Sequence, residues 1–419
     1  MQTLEQKTPT HPRTLTAAVM FIVALCAFMG QANAQKDSQW DVEQAVEVAL
    51  DHPEIETILT ARRQTARFEI DEATILPNPT LDLDHERDFG PEIEGLEASA
   101  MVHQRFSLTP WRTRLRQALP HREAALRAEL DQWRLDMSLE VRLAFYRVRY
   151  HEARIDALDH WVDRLSAGVG SILAREVRGD ASLYERRRIE REVQVARAER
   201  AHEQSELAAA WSALLRRLPT DSEFTLIGDL APFVPAEPST TRPLPSLIRL
   251  EQEALATAAE ARAMGKPWWR DWEAGAGYRF SNEGNHGAER GHGLLLSLTL
   301  PIALRNTDAP RLARLKAEHD RLSAELRLNT TTATRAADAA RRRLEEAMAA
   351  LVELPDDDDD LELTALAEMA FAAGESSLVE LLDAYGSETR LRLARIDLEW
   401  AARQAAIELD YRQGLGGPL

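Results

Sequence analysis

The sequence predicts a mainly α chain with a small β part, built by duplicating one unit of helices, a strand pair and a long helical hairpin. Three observations predict this. G-D-A-S-L-Y-E from Gly179 and G-E-S-S-L-V-E from Gly374 align at an offset of 195 residues, and a repeat at fixed offset organises a chain before any finer reading. The alignment sets Gly179 on Gly374, Ser182 on Ser377, Leu183 on Leu378 and Glu185 on Glu380. Charged residues make up 29% of the chain and aromatics only 6%, the composition of long helices packed along narrow stripes. Strict apolar/polar alternation recurs at about 80–108 and 271–300, matching places in the two halves, and alternation of period two is the strand signal. The units are a leader, 1–34, a first repeat, 35–230, and a second repeat, 231–419.

The leader has Lys7 and Arg13 ahead of an apolar run from Leu15 to Met29, then Gln31-Ala32-Asn33-Ala34. That order is a secretory signal peptide cleaved after Ala34. Cys26, the only cysteine, lies inside it, so the mature chain has no disulfide or thiol chemistry. Cleavage removes two basic residues and one acidic one and leaves 49 basic against 68 acidic, a net charge of −19. Such a chain repels nucleic acid.

A first helix starts at Asp41, with Val42, Ala45, Val46, Ala49 and Leu50 on one face. His52-Pro53 interrupts it, because the residue before proline is driven out of helix. A second helix runs from Glu54 to about Ile75 and stops at Pro77-Asn78-Pro79. Leu81 and Leu83 then alternate with Asp82 and Asp84, and Ala98, Ala100, Val102, Gln104, Phe106 and Leu108 share a face of the next strand. After Pro110, helix is expected from Trp111 past Leu158, then a returning helix to Gly179 that restarts and continues to Leu218. Pro219 to Pro245 reads as the linker between halves. The second half repeats the order. Trp272, Ala274, Ala276, Tyr278 and Phe280 share one strand face, and Leu294, Leu296, Leu298 and Leu300 share another. Ten residues of alternation with an apolar outer face is how a membrane β-strand reads. Four such strands cannot close a barrel alone, so membrane strands would require several chains.

Several stretches resemble the TolC family of outer-membrane efflux factors. D-V-E-Q-A-V-E-V-A-L-D-H-P-E from Asp41 is similar to the family's first helix. I-L-P-N-P-T-L at 75–81 is similar to its lead-in to the first strand, and L-T-L-P-I-A-L-R-N at 298–306 to its exit from the last. G-E-S-S-L-V-E-L-L-D-A at 374–384 resembles the repeat motif at the tube's equator, and Leu354-Pro355 falls nineteen residues before Gly374. The branch most similar is the CzcC-like, cation-efflux one. The resemblance implies a homotrimer: four strands per chain in a twelve-stranded outer-membrane β-barrel, and long hairpins in a periplasmic α-barrel. It implies a periplasmic adaptor and an inner-membrane resistance-nodulation-division pump as partners, a passive export channel with no cofactor, and an equatorial role for Gly179, Ser182, Leu183, Glu185, Gly374, Ser377, Leu378 and Glu380.

No catalytic constellation is present: no HExxH, G-x-S-x-G or Walker A, and His151-Glu152 lacks a second histidine four residues on. Asp84-His85-Glu86, and His286 with His292, are isolated donors in polar surroundings rather than a ligand set. Arg186-Arg187-Arg188 reads as a solvated helix face. The remaining candidate is the run Asp356, Asp357, Asp358, Asp359 and Asp360 after Pro355. Proline at a helix start followed by acids stabilises the positive helix end, but five acids repel one another. The expectation is a carboxylate ring near the periplasmic aperture. The rival class, a soluble periplasmic coiled-coil adaptor, leaves the two strand pairs and their bounding prolines unexplained.

Overall fold

The computed structural model describes residues 38–51, 53–89, 94–220, 224–232, 242–264, 272–283, 290–300, 302, 308–355 and 357–415. The expected leader lies outside them. β1 (Ser38–Trp40) leads into α1 (Val42–Leu50), which Asp41 caps: its Oδ1 accepts from the Gln44 amide at 2.8 Å, and Gln44 Oε1 accepts from the Asp41 amide at 3.2 Å. This reciprocal pair satisfies two of the donors a helix start leaves orphaned. α2 (Pro53–Thr74) ends three residues before Pro77.

The strands β2 (Thr80–Phe89), β3 (Glu94–Phe106), β5 (Trp272–Glu283) and β6 (Arg290–Thr299) form one antiparallel sheet in the order β2-β3-β5-β6. The two halves of the chain meet at β3 and β5, where Phe106 pairs with Trp272 and Ala100 with Tyr278. Among the described residues β2 and β6 are the open edges.

After β3, α3 (Trp111–Arg116) is a short turn of helix, and α4 (Leu119–Arg178) then runs unbroken for 60 residues, roughly 90 Å at 1.5 Å each. α5 (Leu183–Leu215) returns antiparallel to it. Ion pairs step back from the reversal in register: Arg186 with Glu176 (2.9 Å), Arg200 with Asp159, Arg217 with Glu140 (3.0 Å). The returning helix expected to lead into Gly179 is therefore corrected: the outgoing helix itself runs to Arg178. No proline or left-handed residue interrupts the apolar stripe of α4 before Gly179, so nothing lets the chain reverse earlier. Gly168 stays helical and lets α5 come close: a Cβ there would meet Ile189 Cδ1 at 2.7 Å.

The linker holds β4 (Phe224–Leu226), which pairs in parallel with β1. Phe224 stacks on Trp40 with ring centroids 4.0 Å apart. α6 (Pro245–Ala263) follows, then the second hairpin: α7 (Ala309–Glu353), α8 (Asp357–Ala373) and α9 (Leu378–Arg412). Its reversal is at Gly374–Ser377, with Tyr385 donating to Glu368 (2.9 Å), Thr364 to Glu388 (2.7 Å) and Arg343 paired with Glu408 (3.0 Å) on successive levels. The core is strung along the hairpins. Its largest part is a waist where Val42, Val46 and Ala49 of α1 meet Val141, Phe145 and Val148 of α4 and Leu214 of α5, with Ile396 and Ile407 of α9 in the same cluster. Arg403 ties the linker to that waist, donating to the carbonyls of Leu230 (2.8 Å) and Asp229 (2.9 Å) with its guanidinium 4.2 Å from the Tyr146 ring centroid.

Candidate functional site

Three features bear on function: the hairpin ends, the break before α8, and the two faces of the sheet.

Gly179 takes φ +85° and Gly374 φ +78°, a region that costs other L-residues about 1–2 kcal/mol. At the first reversal the Gly179 amide donates to Glu176 O (3.0 Å) and the Asp180 amide to Arg175 O (2.9 Å). At the second, the Gly374 amide donates to Phe371 O (3.1 Å) and the Glu375 amide to Ala370 O (2.9 Å). These bonds close the last turn of each descending helix. Each returning helix then opens with the same reciprocal cap. The Ser182 amide donates to Glu185 Oε2 (2.7 Å) while Ser182 Oγ accepts from the Glu185 amide (3.2 Å). Ser377 and Glu380 repeat this at 2.7 and 3.3 Å. The hydrogen bond from the Ser182 backbone, then that from its hydroxyl, holds the Glu185 carboxyl below its ordinary range.

These motifs lie at the ends of the hairpins: a left-handed glycine reverses the chain, and each hairpin stops there. The copies are not equivalent in packing. Leu183 is 55% exposed, whereas Leu378 is 2% exposed among Leu165, Ile172, Ile189 and Phe371. The second hairpin end packs on the first, and Arg175 fastens it by donating to Phe371 O (2.9 Å) with its guanidinium over the Phe371 ring. Since a Cβ at Gly179 or Gly374 would meet nothing within 4 Å, strain alone sets the cost of substitution. Gly179→Ala and Gly374→Ala are each expected to lower stability by about 1–2 kcal/mol, and asparagine, which tolerates φ > 0, by less. Chemical denaturation of the variants checks this; a silent change at one position would break the backbone equivalence.

The break before α8 follows from Pro355. Leu354 is extended (ψ 139°), as residues before proline are, and Arg395 of α9 donates to Pro355 O. α8 begins at Asp357, so the run Asp357–Asp360 forms its first turn. Asp356 and the side chains of Asp357–Asp360 lie outside the described residues. The rest of α8, residues 361–373, separates the run from the reversal at Gly374, roughly 20 Å at 1.5 Å per residue. Proline interrupts a helix without turning the chain back.

Side-chain alternation gives the sheet two unlike faces. Register puts Leu81, Val102, Ala276 and Leu296 on one level and Leu83, Ala100, Tyr278 and Leu294 on the next, all on one face. Leu294 and Leu296 are each 87% exposed. From Trp272 to Phe280 this apolar band measures roughly 27 Å along the strand at about 3.4 Å per residue. The opposite face carries Asp82, Asp84, Glu86, Glu97, Glu273, Arg105 and Arg279. His103 crosses it, with Nε2 3.2 Å from Asp82 and Nδ1 3.3 Å from Glu273 and 3.4 Å from Ser297 Oγ, so one imidazole touches all three other strands. Gly275 makes room, because a Cβ there would meet His103 Nδ1 at 2.7 Å. Sequence reasoning passed over His103; glycine inside an alternating strand, which marks close approach, was the available signal. His85 points to the apolar face while Asp84 and Glu86 point to the other, so these three do not converge. His292 hydrogen-bonds Tyr278, and His286 lies outside the described residues. Among the described residues no three His, Cys, Asp or Glu are placed to hold a metal ion, and no helix is long and apolar enough to cross a membrane.

No family model matches the chain, and no curated protein matches it. Solved structures do. VceC from Vibrio cholerae superposes with a TM-score of 0.67 over 90% of this chain and 97% of its own, at 13% identity. MtrE from Neisseria gonorrhoeae in its open state gives 0.67 over 90% and 89%, at 18% identity. A membrane protein from Pseudomonas aeruginosa gives 0.68 over 89% and 93%, at 18% identity. Among the matched structures, VceC is described as an outer membrane protein, and MtrE and CmeC from Campylobacter jejuni as outer membrane channels. With its long-helix hairpins and small antiparallel sheet, the chain has the fold of the TolC-like outer-membrane channels.

Proposed function

We propose that three copies of the chain close into a twelve-stranded barrel in the outer membrane, with their hairpins forming a tube through the periplasm, and that the assembly conducts solutes passively as the outer component of a tripartite efflux system. The observation that carries this is the sheet: four strands, one face apolar and exposed, the other charged, and two unpaired edges of equal length. β2 and β6 each have ten residues, so β6 of one copy can pair with β2 of the next until no edge remains. Open edges are not tolerated in lipid, and closure removes them. The leader would deliver the chain across the inner membrane. A periplasmic adaptor and a resistance-nodulation-division pump would supply substrate and energy, so no catalytic residue is required of this chain. A soluble adaptor would instead leave the leucine face in water. Sedimentation with outer membranes and a detergent-stable trimer are the expected results; a folded, detergent-independent monomer would overturn the proposal.

Cations, as in the CzcC-like branch, are the proposed substrate class, supported by the acidic chain and by Asp356–Asp360. Three copies would place fifteen carboxylates at one level, partway along the tube. Replacing all five with asparagine removes the charge and keeps capping ability, since asparagine caps about as well as aspartate. In planar bilayers the substituted channel is expected to lose cation selectivity, most at low salt, where screening is weak. Unchanged reversal potentials would put the run outside the conduction path.

A further inference from the structure

The helix-side end of the sheet reverses the charge of the chain. From Ala98 to Arg122 there is no aspartate or glutamate, but there are five arginines, in a protein of net charge −18. Two of the five are used internally: Arg105 pairs with Glu273 (2.9 Å), and Arg122 with Glu260 (2.5 Å) and Glu69 (3.3 Å). The other three, Arg112, Arg114 and Arg116, sit on α3 and have no carboxylate partner among the described residues. Arg112 lies over Trp111, 5.1 Å from the ring centroid, and Arg116 donates to Thr74 Oγ1 at 3.1 Å. That last bond sets the basic turn beside the start of β2, where Gln104 Nε2 donates to Pro77 O at 2.8 Å and ties in the end of β3. Ile75, Leu76 and Leu108 are exposed there, and the apolar face of the sheet ends just above them on the Phe106–Trp272 pair, with ring centroids 6.4 Å apart.

An apolar band that ends in aromatic rings, then exposed aliphatics, then arginines with no carboxylate partner among the described residues is the order of chemistry met on leaving a bilayer through its headgroups. We propose that α3, with Ile75, Leu76 and Leu108, is a binding surface for anionic phospholipid of the leaflet on the helix side, Arg112, Arg114 and Arg116 contacting the phosphates. This rests on the reading that the sheet lies in a membrane. Guanidinium groups match phosphate geometry with paired donors, and each basic residue at an anionic surface contributes attraction that salt weakens.

The test uses the full-chain trimer in vesicles of phosphatidylcholine alone or mixed with phosphatidylglycerol, with the lipids retained after detergent extraction counted by mass spectrometry. The parent is expected to retain phosphatidylglycerol preferentially, and added salt to weaken that preference. Arg112→Gln/Arg114→Gln/Arg116→Gln should lower the preference at least tenfold, while Arg335→Gln/Arg341→Gln/Arg342→Gln, on exposed positions of α7, should leave it intact. A triple α3 variant that keeps the parent's preference overturns the proposal. So does one that instead loses its trimer with lipid preference intact, since the arginines would then pair with a second copy. A parent that enters both vesicles and prefers neither lipid, or whose preference ignores salt, overturns this proposal alone. A parent that enters neither overturns the membrane reading and the proposal with it.

Discussion

Replacing Leu294 and Leu296 with arginine is expected to abolish assembly in membranes while leaving the helical hairpins folded. Both side chains are 87% exposed and make little use of the chain's own core, so in water the exchange would cost almost nothing. In lipid it would not. An arginine on the outer face of a barrel near the bilayer midplane costs about 2–4 kcal/mol, falling toward the interfaces. The two leucines lie on the levels of Ala276 and Tyr278, in the middle of the apolar band. The penalty falls on two positions in each chain and on every copy in the assembly. Ser281→Arg is the control: it lies on the opposite face, on the level of Glu97, where an added arginine meets a carboxylate. Membrane-fraction yield and trimer content by gel migration without heating measure both. Normal assembly of the double arginine variant would place the leucine face in water.

The faces of the sheet were legible in the sequence because alternation fixes which way each side chain points whatever the strand pairs with. Which strands pair was not: β3 meets β5 across some 165 residues, and nothing local to either names the other. The helices were legible as stripes, but not their reversals. Pro355 is the loudest breaker in the second hairpin, yet it does not turn the chain. The actual turn belongs to Gly374, because reversal needs a left-handed residue, whereas proline only interrupts. β1 and β4, three residues each, are too short to carry any period. The polar cluster at the waist left a fainter signal. Glu203 falls in the buried stripe of α5, seven residues from Ala196 and seven from Ala210, and His151 falls in that of α4, three residues after Val148. A charged or polar side chain in an apolar stripe requires a partner, but periodicity cannot say which helix brings it.

That partner is Arg154, and its removal is expected to cost about 3 kcal/mol. Its Nε donates to Glu203 Oε1 at 2.8 Å and its Nη1 to Asp397 Oδ1 at 2.6 Å, joining α4 to both α5 and α9. His151 Nδ1 lies 2.8 Å from the other Glu203 oxygen, and Tyr150 donates to Asp397 at 2.8 Å. The Tyr150 phenol is pushed up to about 12, first by burial and then by that hydrogen bond. Glu203 is only 9% exposed. Burial alone would push its carboxyl up, but the hydrogen bonds from His151 and Arg154 outweigh it and the pKa is lowered. Arg154→Met keeps most of the packing and leaves the buried carboxylate without its main partner. A double variant, Arg154→Met/Glu203→Leu, removes that charge as well and should be more stable than the single one, since breaking a buried pair costs more than replacing it by apolar groups. A lowered carboxyl pKa contributes stability above its ordinary value of 4.5 and loses it as pH falls through the folded value. The gap between parent and Arg154→Met should therefore narrow on acidification. Denaturant unfolding of the three proteins at neutral and acid pH measures both effects. If the double variant is no more stable than the single one, the loss comes from the packing of the arginine stem and not from a stranded carboxylate.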